Sequence, residues 1–215
     1  MCFTLVSVLV VNATIASAAL AVDLFTSDSP SSTTITGNQA PKLNFIIIGQ
    51  PIECEVVHFE GTMGNSAEGV VLTPDLETCT YDKTKAILQM NGCQFRIASE
   101  TNASGHSIFQ ILNCPTAAPI LLNISIKEQP CKLTVIEQTA VEGAKFTNET
   151  TGAKKTLLMH VTAKFKIHLS EGTYFLCKAL SGTNFMYNGS VTLTGVNDNP
   201  EHAPVNITVD EAPDA

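Results

Sequence analysis

From Val161 to Leu169 the chain alternates without a break. Val161, Ala163, Phe165, Ile167 and Leu169 are apolar, and Thr162, Lys164, Lys166 and His168 stand between them. Successive side chains of an extended strand point to opposite faces, so this stretch predicts a strand with one buried and one wet face. Shorter apolar runs, broken by Gly, Pro, Asn and Asp, predict strands near 43–49, 52–60, 69–73, 86–90, 93–99, 107–113, 119–126, 132–137, 157–169, 173–178, 187–195 and 204–209. No segment keeps a 3.6-residue apolar period over a helical length. Many short strands with turn signals every 8–12 residues or so predict an all-β fold, an antiparallel β-sandwich or partly closed barrel. Nothing between 41 and 210 marks a boundary, and no internal repeat is visible, so residues 41–215 are expected to form a single all-β domain.

The first forty residues read differently. Phe3 to Ile15 is a mostly apolar run, and Ala16-Ser17-Ala18-Ala19-Leu20-Ala21 follows it with small residues. This is the apolar core and small-residue exit of a secretory signal, with cleavage expected after Ala18 or Ala21, so residues 1–21 are expected to leave. The run falls short of the ~20 apolar residues of a membrane span. The alternative, an ordinary buried strand, rests on the β preference of Val and Thr. No Lys or Arg follows Met1, so the expected start codon lies upstream of it. Cys2 would leave with the leader and stands too early to carry a lipid at the cleavage site. Thr26 to Gln39 is dominated by Ser, Thr and Pro, and residues 22–40 are expected to be a polar linker or a loosely paired first strand.

Six of the seven cysteines lie beyond the leader: Cys54, Cys79, Cys93, Cys114, Cys131 and Cys177. An even number behind an export signal reads as a disulfide framework in an oxidising compartment. Cys93 and Cys114 bracket a candidate hairpin whose turn holds Asn102 and Gly105, and pairing its arms sets the two cysteines opposite each other, within disulfide reach. Cys54 and Cys79 bracket a second candidate hairpin about Met63 to Gly69, which leaves Cys131 with Cys177. Six cysteines admit 15 connectivities, of which this nested set is one. The alternatives are buried reduced thiols and a metal site, but no pair shows the C-x₂₋₄-C spacing of zinc sites. No metal and no cofactor is expected.

Composition narrows the partners. A chain of roughly 195 residues after cleavage buries about 70% of its unfolded surface. Its core therefore need not depend on disulfides, each of which typically adds ~2–4 kcal/mol. Net charge is −8 and Arg96 is the only arginine. Nucleic acid needs clustered positive charge, and the scattered lysines offer none beyond Lys154-Lys155 and the Lys164/Lys166 pair. Anionic membrane surfaces are disfavoured for the same reason. The chain has no Trp, three Tyr and ten Phe. Scarce aromatic platforms argue against a carbohydrate-binding module, although the phenylalanines leave some room for one.

In order, the chain carries FTSD after the leader, IECEVVHFEGT, VVLTPDLETCTY, NGCQFRI, FQILNCP and CKLTV, and closes with YNGSVTLTG and VNITVD. This series resembles a family of exported β proteins, uncharacterised in function, that occurs as many paralogues in soil actinobacteria of the Thermoleophilia. Members share a leader, a Cys-x-x-x-x-F-x-G-T-like strand, a G-C-x-[YF] step and a terminal Y-x-G-[ST]-V-T-[VL] strand. The resemblance covers most of residues 24–209. It implies a bacterial exported β protein and carries over no catalytic residue. The leader departs from the family by lacking its basic start.

Chemistry-bearing residues form no familiar motif. His58, His106, His160, His168 and His202 show neither H-x-H nor H-E-x-x-H spacing. His160 and His168 share the polar parity of their strand and are expected on its wet face. No G-x-S-x-G elbow occurs; Gly64-Asn65-Ser66-Ala67-Glu68-Gly69 reads as a hairpin loop. Glu53/Glu55 and Glu77/Asp82 could act as acid and base only if folding set them across a cleft. Val196-Asn197-Asp198-Asn199-Pro200 is similar to the calcium-binding linker of cadherin repeats, but the accompanying acidic motifs are missing and the residues suit a tight turn. Asn-x-Ser/Thr sequons stand at Asn102, Asn123, Asn148, Asn188 and Asn206, surface glycan sites in a glycosylating host. The expected function is a secreted or envelope-associated, non-enzymatic structural or binding protein with an unknown extracellular partner. A secreted hydrolase with a non-standard carboxylate site is the first alternative. The second is a self-assembling fibre in which residues 22–40 pair with a neighbour's sheet edge.

Overall fold

The computed structural model describes residues 24–38, 43–47, 49–101, 107–115, 119–140, 143–172, 174–199 and 201–210. The expected leader, Asn102, Gly105 and His106 lie outside them. All strand pairings are antiparallel, and the chain is an all-β protein stapled by three disulfides.

The chain opens with β1 (Leu24–Ser27), β2 (Thr33–Asn38) and β3 (Leu43–Ile47), then the long β4 (Gln50–Met63), the two-residue β5 (Ser66–Ala67) and the long β6 (Gly69–Tyr81). There follow β7 (Thr84–Gln89), β8 (Gln94–Thr101), β9 (Ser107–Leu112), β10 (Ile120–Ile126), β11 (Gln129–Val135), β12 (Gln138–Thr139) and β13 (Ala144–Thr151). The last part holds β14 (Lys154–Lys166), β15 (His168–Glu171), the helix α1 (Phe175–Leu180), β16 (Asn184–Asn197), β17 (Pro204–Val205) and β18 (Ile207–Asp210).

Following hydrogen-bonded neighbours from β6 through β8, β9, β13, β14, β16, β2 and β4 leads back to β6, so these strands close into a ring. Closure removes the open edges that a flat sheet would present. Below the ring, β3 inserts between β16 and β4, and β7, β10, β11 and β15 extend the sheet from the far end of β6. β15 continues β14 past Ile167, so the chain itself ties this lower arc to the ring. A small sheet, β18-β1-β5, brings the first and last described strands together, with Phe25 packed edge-on against Phe146 at 5.0 Å.

The long hairpin β4–β6 serves both regions. In the ring, β4 buries Val57 and Phe59; below it, β4 buries Ile52 and Cys54, the other parity. β6 makes the matching change, from Val70 and Leu72 to Cys79 and Tyr81. At the crossover Glu55 and Val56 are both exposed on one strand, and Glu77 and Thr78 on the other, with Thr78 at φ 51°. An irregularity of this kind bends and twists a strand pair, letting one hairpin line two core regions. A run of aromatic rings joins those regions: Phe59, Phe95 and Phe109, then Tyr187, Phe45 and Phe185, with centroids 4.8–6.3 Å apart. Most of these contacts are tilted, an arrangement that ring quadrupoles favour.

The structure corrects several expectations. The polar stretch after the leader is neither a linker nor loosely paired. β2 is hydrogen-bonded on both sides, to β16 and to β4. Its Thr33 and Ile35 are buried, and Gly37 lies where a Cβ would strike Leu193 and Val191. Small hydroxyl residues pack there because the ring leaves little room. The strand expected at 173–178 is absent over the described residues 174–178: six residues from Phe175 form α1, burying Cys177 and Leu180 at helical spacing. A helix this short is marginal alone and needs tertiary anchors. The strand expected at 69–73 runs on to Tyr81. Pro74 is tolerated because β8 pairs only residues 69–72 and β7 only 79–81, leaving β4 as the sole strand partner there. The strand of 157–169 begins at Lys154 and breaks at Ile167, and β12 and β13 arise in a region assigned no strand.

Candidate functional site

The three disulfides join Cys54 to Cys79, Cys93 to Cys114 and Cys131 to Cys177, the nested set of the sequence reading. Cys54 and Cys79 are direct cross-strand neighbours. Cys93 and Cys114 lie just beyond the register pair Gln94↔Leu112. Cys131–Cys177 is of another kind, since it fastens the helix α1 to β11. Disulfides characterise oxidising compartments.

Beside that third bridge lies an open groove of about 520 Å³, lined by Lys85, Ile87, Asn123, Ile124, Ser125, Gln129, Pro130, Cys131, Lys132, Glu171, Gly172 and Tyr174. Four strands build its floor in register: Ile87 faces Asn123, Asn123 faces Lys132, and Lys132 faces Glu171. The opposite faces of these strands bury Leu88, Leu122 and Leu133, so burial of that apolar set holds the row from Ile87 to Glu171 outward. Lys132 Nζ donates to Glu171 Oε1 at 2.9 Å, making these two charges a neutral pair. Gly172, at φ 140°, ends β15 and turns the chain towards α1, with Pro130 O and the Cys177 side chain close by.

α1 sets an aromatic pair at the end of this row. Tyr174 lines the groove and is half-buried, and Phe175 touches it edge-on at 4.9 Å. Phe175 is 67% exposed, whereas Phe25, Phe45, Phe59, Phe95, Phe109, Phe165 and Phe185 belong to the core. Two anchors fix the helix that carries it, the Cys177 bridge and the buried Leu180. Sequence reasoning missed this site. The residues come from four strands and a helix read as a strand, and no local motif announces them.

The other candidates disperse. His58 Nδ1 pairs with Asn38 Oδ1 at 2.9 Å and His160 Nδ1 with Ser190 Oγ at 2.7 Å, each across neighbouring strands. His160 and His168 stand on the wet face, and His202 sits in a turn at φ 44°. Among the described residues no group of three or more His, Cys, Asp or Glu is placed to hold a metal ion. Glu53 and Asp82 line one shallow hollow with Lys83, while Glu55 and Glu77 stand at the crossover of the long hairpin. Gly64 to Gly69 is the β4–β6 connection, and its Ser66-Ala67 pairs with β1. The segment after Val196 is a turn. Asn197 binds Ala203 through backbone and side chain, and Asp198 accepts from the hydroxyls of Ser32 and Thr34, closing the start of β2.

The sequons fall into two groups. The Asn148 amide donates to Val209 O and accepts from Val209 N, imitating a strand partner for β18. The Asn206 amide donates to Asp28 and accepts from Lys155 N. Asn188 is exposed on β16, and Asn123 is the groove residue named above. Among the described residues no helix is long and apolar enough to cross a membrane. Comparison with family models, with curated proteins and with solved structures finds no match to this chain.

Proposed function

We propose that the protein is a secreted or cell-envelope binding protein, non-enzymatic, which presents the groove beside Cys131–Cys177 to an extracellular ligand. The observation that carries this reading is the third disulfide. It fixes a six-residue helix, and with it a solvent-exposed Phe175 that packs edge-on against Tyr174 of the groove wall. Exposing a large ring to water is unfavourable, and holding it rigidly next to a groove of mixed apolar and polar lining suits ligand recognition. The apolar leader, the three disulfides and the resemblance to exported actinobacterial proteins all support a location outside the cytoplasm. The scaffold supports it too, since a ring without open edges and a stapled lower arc withstand an unprotected environment.

Co-sedimentation of the oxidised protein with insoluble envelope material from the producing cells tests this reading. Wild type is expected in the pellet, and Phe175→Ala in the supernatant. Recovery of nothing, together with a reproducible hydrolytic activity in the purified protein, overturns it.

A further inference from the structure

We infer that the groove takes a neutral glycan chain, with the exposed Phe175, set edge-on against the groove-lining Tyr174, stacking on a sugar face where the chain leaves the groove, and the side chains of Asn123, Ser125 and Gln129 meeting its hydroxyls. This rests on the reading of the protein as a binding protein and names the ligand class. Few aromatic residues in the sequence spoke against such a module, but placement matters more than number. One exposed ring suffices if it is held rigidly next to the site, and α1 holds Phe175 against Tyr174 of the groove wall.

Charge selects among ligands. The groove's facing charges, Lys132 and Glu171, neutralise each other at 2.9 Å, leaving Lys85 at the rim. A cationic ligand would meet Lys85, and an anionic polymer would approach a chain of net charge −8. An uncharged ligand suffers neither penalty. It must offer hydroxyl or amide groups to two side-chain amides and a hydroxyl, which can each donate and accept. It must also offer an apolar face to the ring pair. A pyranose chain has both, in alternation. The volume of about 520 Å³ lies within the range of small-ligand sites and would hold a few sugar units, the chain extending past the open ends.

Asn123 heads a sequon, so the test uses oxidised protein from a host that adds no N-glycans. Cellohexaose, chitohexaose and mannohexaose are titrated by calorimetry, beside an uncharged ten-residue peptide as the competing class. At least one hexaose is expected to bind in the sub-millimolar range. Phe175→Ala is expected to weaken it about tenfold, which is ~1.4 kcal/mol. The melting temperature of that variant should not change, because the ring is exposed. Asn123→Ala is expected to weaken binding as well, and Val56→Ala, an exposed site at the hairpin crossover, to leave it unchanged. Absence of binding by every hexaose, binding by the peptide alone, or hexaose binding indifferent to Phe175→Ala overturns the inference. If the hexaoses fail while wild type still pellets with envelope material and Phe175→Ala does not, the ligand class is wrong and the binding role stands. If both fail, the binding role falls too.

Discussion

The ring and the lower arc are held by different means. In the ring every strand finds partners by closure; one disulfide, Cys93–Cys114, joins the ends of the β8–β9 hairpin, and none bridges β2, β14 or the upper halves of β4 and β6. In the lower arc the elements are short: six residues in β7, four in β15 and six in α1. There Cys54–Cys79 ties the lower hairpin, and Cys131–Cys177 ties α1 to β11. Where a sheet closes, its hydrogen bonds and buried side chains support one another. Where it runs out in short pieces, covalent links replace that support, and the same end carries the groove. Rigidity of the groove is thus a product of the staples.

The strongest test of the contrast removes the third staple. Cys131→Ser with Cys177→Ser opens a loop with a sequence separation of 46 residues, for which the chain-entropy model gives a loss of about 4 kcal/mol. Hydrogen exchange should rise in β11, β15 and α1 and stay slow in β2, β14 and β16. Equal loss of protection in the ring would make the two regions one cooperative unit and break the comparison.

The ring has its own sensitive point at Gly61. A Cβ there would run into the backbone carbonyl oxygen of Val71 on the paired strand. Gly61→Ala is expected to lower stability by about 1–3 kcal/mol, read from the urea midpoint. An unchanged midpoint would show that the ring adapts more easily than its closure suggests.

Tyr187 lies where the regions meet, its ring 5.3 Å from Phe45 and 6.2 Å from Phe109. Burial pushes its phenol well above the usual value near 10. Below pH ~10 the phenol is protonated whether the chain is folded or not, and stability does not depend on it. Above that the unfolded chain loses the proton and the folded chain keeps it. Stability should therefore fall by up to about 1.4 kcal/mol per pH unit. Tyr187→Phe should flatten the decline above pH 10 in denaturant titrations; an unaltered slope would assign it to other groups, Tyr81 among them, whose phenol burial and Asp82 also push up.

The smallest expected effect concerns the clamp on β18. Asn148→Ala removes two hydrogen bonds to Val209, at 2.8 and 3.0 Å. A loss of about 1 kcal/mol is expected, with faster exchange at the Val209 amide. No change in exchange there would mean that pairing with β1 alone secures β18.

Sequence patterning and tertiary geometry can be separated in particular residues. Strict alternation from Val161 to Leu169 specified a half-buried strand, because a two-residue period has one structural meaning. Hairpin symmetry about Met63 to Gly69 brought Cys54 opposite Cys79. Both are local facts, and both are written in neighbouring residues. The segment around Thr33 was illegible, since hydroxyl residues favour a strand interior only when close ring partners leave room for nothing larger. α1 was illegible too: six residues hold too few turns for a helical period, and Tyr-Phe at its start favours strands. Its helicity follows from Gly172, from the bridge to Cys131 and from burial of Leu180. The groove lies furthest from the sequence. Ile87, Asn123, Lys132 and Glu171 span 85 positions and become neighbours only through the register of four strands. The sequence by itself determined the strand class and set Cys54 opposite Cys79 and Cys93 opposite Cys114, through contacts between segments close along the chain; Cys131 and Cys177 were only the remaining pair. Only the tertiary structure decided the ring closure, the helix and the ligand groove, because each depends on partners that long-range pairing brings together.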